Sequence, residues 1–151
     1  MTSRRHFLSV AALTPLSLAI PWRARAAEPR VFQSRAGTIN GIDPVAYFDG
    51  NGPVAGRPDI AHDWQGATWF FASASNRDAF AAEPERFAPA FGGYCAHAAA
   101  RGDLAPTIPA AWTIHDGRLF LNASLRAREM WRSALPEVIA RGEANWPAIL
   151  G

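Results

Sequence analysis

A chain with one cysteine cannot staple itself, and Cys95 is the only cysteine among these 151 residues. No intramolecular disulfide can form, so the fold must stand on packing alone. The material for packing is present: six tryptophans and nine phenylalanines, a large apolar payload for a small chain.

The N-terminus bounds where that packing happens. Ser3-Arg4-Arg5-His6-Phe7-Leu8 places an arginine pair before a bulky apolar residue, the pattern of a twin-arginine export signal. An apolar stretch from Phe7 to Ile20 follows, then Ala24-Arg25-Ala26 as a small-residue cleavage site. Residues 1–26 are therefore expected to be a twin-arginine signal peptide handed to the export machinery, leaving a periplasmic protein of about 125 residues, the size of one domain. The apolar stretch falls short of the roughly 20 residues that span a bilayer and is broken by Thr14, Pro15 and Ser17. A membrane anchor is not expected.

Removing residues 1–26 takes away Arg4, Arg5, Arg23 and Arg25, which leaves eleven basic against thirteen acidic residues. The basic character belongs to the signal. Nucleic-acid binding is excluded as an expectation, because the remaining arginines are scattered among acids rather than gathered in a patch. The chain has no lysine, so Schiff-base catalysis is excluded as well.

Residues 27–38 mix charge, Ser and Gly with little periodicity and read as a flexible arm, with order beginning near Ile39. Asp43-Pro44 predicts a turn in which the Asp43 side chain bonds nearby amides, followed by a short strand over Val45-Ala46-Tyr47-Phe48. Two hairpins are expected. One joins residues 60–64 to 67–71 through Gln65-Gly66, with His62 and Trp64 on one face by alternation; the other joins 111–115 to 118–122 through Asp116-Gly117. Ser73 or Ser75 starts a helix that runs to about Ala82, with Asp78 placed to complete a capping box from Ser75. Phe80 and Phe87 face the sheet, while Arg77, Asp78, Glu83, Glu85 and Arg86 read as a solvated face. The segment 91–100 favours a helix starting near Tyr94, with a strand as the alternative. Ala127, Met130, Trp131, Ala134 and Leu135 recur at helical spacing, and Pro136 opens a last helix. Asn122 reads as a strand-end or helix-start residue, and no internal repeat is visible. The expectation is an α+β fold with a small antiparallel sheet of two hairpins and three or four packed helices.

Asp43-Pro44-Val45-Ala46, the hairpin from Trp64 to Phe71, and Ser73 through Phe80 to Phe87 together resemble the YHS domain family. The likeness covers roughly residues 39–91, and Gly92-Gly93-Tyr94-Cys95 onward is similar to an extended, exported subgroup, so 39–151 reads as a YHS-like domain with a C-terminal helical extension. The resemblance implies a metal-binding module in members that carry three cysteines. Here Ala46, Ala72 and Asn76 stand at those three positions, so a thiolate site does not carry over.

Three readings of function follow, each beside a plainer one. Cys95, His62 and His97, with His115, are the only thiol or imidazole ligands after residue 26 and are candidates to hold copper or zinc. On a helix Cys95 and His97 would point apart, so sharing a metal requires a loop or strand end, and Cys95 with His62 is then the better pair. A lone cysteine beside tyrosine and alanine is more often a small buried hydrophobe. Tyr47, Trp64, Trp69 and Tyr94 are candidates to line a pocket for a small apolar ligand, although such aromatics are more often core. A cysteine-dependent enzyme or redox protein would need Cys95 beside His62-Asp63 or His115-Asp116. An exported binding module for metal or a small ligand is the leading expectation, and the cysteine enzyme is its alternative.

Overall fold

The computed structural model describes residues 26–151, so the signal expected over residues 1–26 lies outside it apart from Ala26. The described residues form an α+β fold. In chain order they are β1 (Gln33–Ser34), β2 (Gly37–Thr38), β3 (Arg57–Trp64), β4 (Ala67–Phe71), α1 (Ala74–Ala82), α2 (Pro84–Phe87), α3 (Ala96–Ala99), β5 (Trp112–His115), β6 (Arg118–Leu121), α4 (Leu125–Ser133) and α5 (Glu137–Asn145). Each consecutive pair of strands forms its own two-stranded antiparallel sheet, so the two long hairpins do not hydrogen-bond to one another. Among the described residues no helix is long and apolar enough to cross a membrane.

Local chemistry sets the hairpins and helices. Gln65-Gly66 (φ 50° and 73°) and Asp116-Gly117 (φ 49° and 72°) supply the paired left-handed angles of a two-residue turn. The registers follow: Trp64 opposite Ala67 and His62 opposite Trp69 in one, His115 opposite Arg118 and Thr113 opposite Phe120 in the other. Two residues beyond the first hairpin and three beyond the second, a serine caps a nine-residue helix. Ser73 Oγ accepts from Asn76 N at 3.1 Å to open α1, and Ser124 Oγ accepts from Ala127 N at 3.0 Å to open α4.

These parallels extend through the whole middle of the chain. Left-handed backbone occurs at Ile39, Asn40, Gly41 and Gly50, and again 52 residues later at Phe91, Gly92, Gly93 and Gly102. It occurs at Gln65 and Gly66, and again 51 residues later at Asp116 and Gly117. Hydrogen bonds repeat with the angles. Gly50 N donates to Tyr47 O as Gly102 N does to Ala99 O, and Asp43 N donates to Val54 O as Cys95 N does to Ala105 O. Phe80 and Trp131, both fully buried, occupy the same position in the two capped helices. The chain therefore contains a structural repeat, residues 39–82 and 91–133, each running from a left-handed turn through a short helix and a hairpin to a serine-capped helix. Non-glycine residues rarely adopt such angles, so their recurrence in the same order is a strong signature of a common frame. This corrects the expectation of no repeat.

Each repeat has its own apolar core. Ile39, Tyr47, Trp69, Phe71 and Phe80 anchor the first, and Phe91, Ala96, Ala99, Trp131 and Val138 the second. Strand β6 belongs to both, because alternation sends Leu119 and Leu121 into the first core and Phe120 into the second.

Three further expectations change. Residues 45–48 do not form a strand; Ala46–Asp49 is a 3-10 turn, since the Asp43 side chain draws the following amides into a tight bend. Of the two serines expected to start the helix, Ser73 is the cap, so the capping box from Ser75 to Asp78 is not the one that opens α1. The arm over 27–38 is packed from Val31 onward. Val31 and Phe32 are buried, Phe32 N donates to Gly92 O at 2.8 Å, and Glu28 N donates to Leu150 O at 2.8 Å. A methyl group on Gly92 would collide with the Arg30 carbonyl, so glycine there lets the arm cross the body closely.

Candidate functional site

Two buried polar junctions occupy equivalent places in the repeats, and they are built differently. In the first, Asp43 is fully buried. Its Oδ1 accepts from Val45 N at 2.8 Å and Ala46 N at 3.3 Å, and its Oδ2 accepts from Ala72 N at 2.8 Å and Asn76 Nδ2 at 2.7 Å. One carboxylate thus ties the Asp-Pro turn to the start of α1, each oxygen holding two donors, which is how a charge without a cationic partner is tolerated in an interior. Ala46, Ala72 and Asn76 all meet on this carboxylate.

In the second repeat two side chains divide the same task. Cys95 Sγ accepts from Ala123 N at 3.3 Å, the counterpart of Ala72 N, and the thiol donates to Asn122 Oδ1 at 3.5 Å. Asn122 Oδ1 also accepts from His97 N at 3.0 Å, the counterpart of Val45 N. Asn122 is fully buried, yet its Nδ2 has no partner, and His97 Nδ1 and Trp131 Nε1 are likewise buried without one. The amide cannot simply be turned around, because its NH2 would then face the His97 N–H.

The expected metal ligands are not brought together. Cys95 is only 2 % exposed and its hydrogen bonds run to Asn122 and Ala123, with none to an imidazole among the described residues. The His62 ring sits edge-on to Phe80 at 6.2 Å, on the same face as Trp64 as alternation predicts. His115 Nε2 lies 3.4 Å from Asp116 Oδ2. Among the described residues no group of three or more His, Cys, Asp or Glu could hold a metal ion.

Of the four aromatics expected to share a pocket, Tyr47 and Tyr94 separate from Trp64 and Trp69. Tyr47 is a core residue whose hydroxyl donates to Pro109 O at 3.1 Å, and burial pushes its phenol well above the ordinary tyrosine range. Tyr94 donates to Pro29 O at 2.9 Å and so pins the arm; burial first, and the charge of Glu28 second, push its phenol up. It borders a broad groove with the arm and the C-terminal residues. Trp64 lines a different cavity.

That cavity, of about 200 Å³, lies where the two repeats meet the arm. Trp64 and Trp69 come from the first hairpin, Arg86 from α2, Arg118 from β6, Arg30 from the arm and Trp146 from the chain beyond α5. Trp69 is locked by its Nε1–H, which donates to Trp64 O at 3.1 Å, and Trp146 packs on Phe91 and Tyr94. Sequence reasoning reached only Trp64 and Trp69 here. It assigned Arg86 and Glu85 to a solvated face, whereas both border the cavity. No sequence signal distinguishes these arginines, since they converge from segments far apart in the chain.

No protein-family model, curated protein or solved structure matches this chain.

Proposed function

We propose that this protein is an exported, periplasmic binding module of the YHS type that takes a small ligand in the cavity between its two repeats. The observation that carries the reading is the cavity itself: three indoles and three guanidinium groups from five segments of the fold converge on one space of about 200 Å³. Binding sites are typically concave, aromatic-lined and provided with a few polar groups that fix orientation, and they favour junctions between structural units. The size restricts the ligand to a small molecule, because drug-sized ligands occupy about 300–1,000 Å³.

The meeting of Ala46, Ala72 and Asn76 on Asp43 supports the YHS resemblance, in that the three cysteine positions are neighbours in space. It also argues for a ligand other than a metal, since a satisfied carboxylate and two alanines offer no open coordination position. The twin-arginine pattern supports export.

The test is a titration of the mature protein, recovered from a periplasmic fraction, with indole, benzoate and benzamide while tryptophan fluorescence is followed. A saturable change with at least one of them, lost in Trp64→Ala, is expected. Absence of any saturable change, or an equal change in Trp64→Ala, overturns the reading.

A further inference from the structure

We infer that the cavity selects a planar, single-ring carboxylate, held with its ring among the indoles and its carboxylate on the arginines. This assignment rests on the small-ligand reading above and adds the chemical class of the ligand.

The argument begins with the charges that border the space. Arg30, Arg86 and Arg118 line the space together with one carboxylate, Glu85, while Glu83 and Glu143, the ion-pair partners of Arg86 and Arg118, lie outside the lining. Two of the three arginines are oriented in the same manner. Arg118 uses Nη1 on Glu143 at 2.6 Å and lays its guanidinium over the Phe120 ring at 5.1 Å. Arg86 uses Nη1 on Glu83 at 3.0 Å and lays its guanidinium over Phe87 at 5.0 Å. Each is oriented through one nitrogen and one face, and in each the Nε–H and Nη2 donors hold no acceptor among the described residues. A guanidinium carries five N–H donors in a fork that matches a carboxylate, and a fork already oriented loses little entropy when it binds. The third, Arg30, makes no hydrogen bond or ion pair with any described residue.

The repeat supplies an independent reason to regard Arg118 as more than frame. Its counterpart in the first hairpin is Ala67, which is buried. The strand start needs no arginine to form this hairpin, since the first repeat builds the same one without it. The indoles give the second half of the selection. Trp64 and Trp146 offer apolar ring surface, with the buried Trp69 packed behind Trp64, which favours a planar ring through offset or edge-on stacking. A ring and a carboxylate in one small molecule satisfy both linings at once.

Benzoate and its neutral isostere benzamide separate the two contributions. Isothermal titration of the mature protein is expected to show benzoate binding at least about tenfold more tightly than benzamide, the scale of one charge-assisted hydrogen-bonded contact. Arg30→Gln and Arg118→Gln are each expected to weaken benzoate about tenfold and to leave benzamide unchanged. Arg30 has no partner to lose, so its variant keeps the fold even if Arg118→Gln loosens the contact with α5; thermal melts of both variants check this. Equal binding of benzoate and benzamide, both abolished in Trp64→Ala, overturns the carboxylate assignment and leaves the small-ligand reading standing. Failure of both probes to bind overturns the two together.

Discussion

The first repeat closes its buried junction with one carboxylate, and the second closes the equivalent junction with a thiol and an amide. Asp43 offers two oxygens and holds four donors. Cys95 and Asn122 between them hold two backbone donors, and their pairing leaves the Asn122 amide nitrogen unpartnered in the interior. One frame has thus been stabilised by two chemistries of unequal quality. The first junction has its carboxylate fully used, whereas the second repeat carries four buried polar atoms with no hydrogen-bond partner among the described residues.

The difference can be measured, and the largest effect is expected at Asp43. Asp43→Ala strands three backbone amides and the Asn76 side chain, and should lower stability by about 3–5 kcal/mol in urea unfolding. Asn122→Ala strands His97 N but also removes the orphaned amide nitrogen, so it should cost about 1–3 kcal/mol. Equal losses at the two sites would break the contrast. A sharper test moves the first solution into the second repeat. Cys95→Asp should cost about 1–2 kcal/mol, because Ala123 N already donates to the side chain at this position and His97 N is the counterpart of Val45 N, which serves Asp43. Ala99→Asp, equally buried on the same helix where no spare donor is assigned, should cost about 4 kcal/mol or more.

Where the repeats are alike, the losses should be alike. Ser73→Ala and Ser124→Ala each remove one cap bond of nearly equal length and should each lower the melting midpoint by an amount that corresponds to about 1 kcal/mol. Unequal losses would mean that the two helices are not equivalent. The smallest effect is expected for Trp131→Phe, which gives the second repeat the residue of the first at that position. Relief of the buried, unpartnered N–H offsets much of the lost volume, so the change should stay within about 1 kcal/mol by calorimetry.

Much of this fold is legible in the residues, wherever a single short segment decides. Gln65-Gly66 and Asp116-Gly117 announce their turns, Ser73 and Pro84 bound α1, and the spacing of Ala127, Met130 and Trp131 marks α4. Asp43 was legible as a turn former. That the same carboxylate reaches Ala72 and Asn76 was not, since those partners lie 29 and 33 residues away. Val45 to Phe48 misleads because its apolar run suits a strand, while the side chain two residues earlier bends it. The repeat is hidden for a related reason: what recurs is backbone angle and bond pattern, carried by different residues such as Ile39 and Phe91 or Asp43 and Cys95. The cavity is the least legible feature, because Arg30, Arg86 and Arg118 look in sequence like any other surface arginine.

Strand β6 carries one further consequence. Tandem architectures often melt piecewise, each unit losing order while its neighbour persists. Here Leu119 and Leu121 point one way and Phe120 the other, so a party wall is shared by both rooms and neither can be emptied alone. Denaturation should accordingly pass in one cooperative step, with the indoles of both halves reporting the same midpoint.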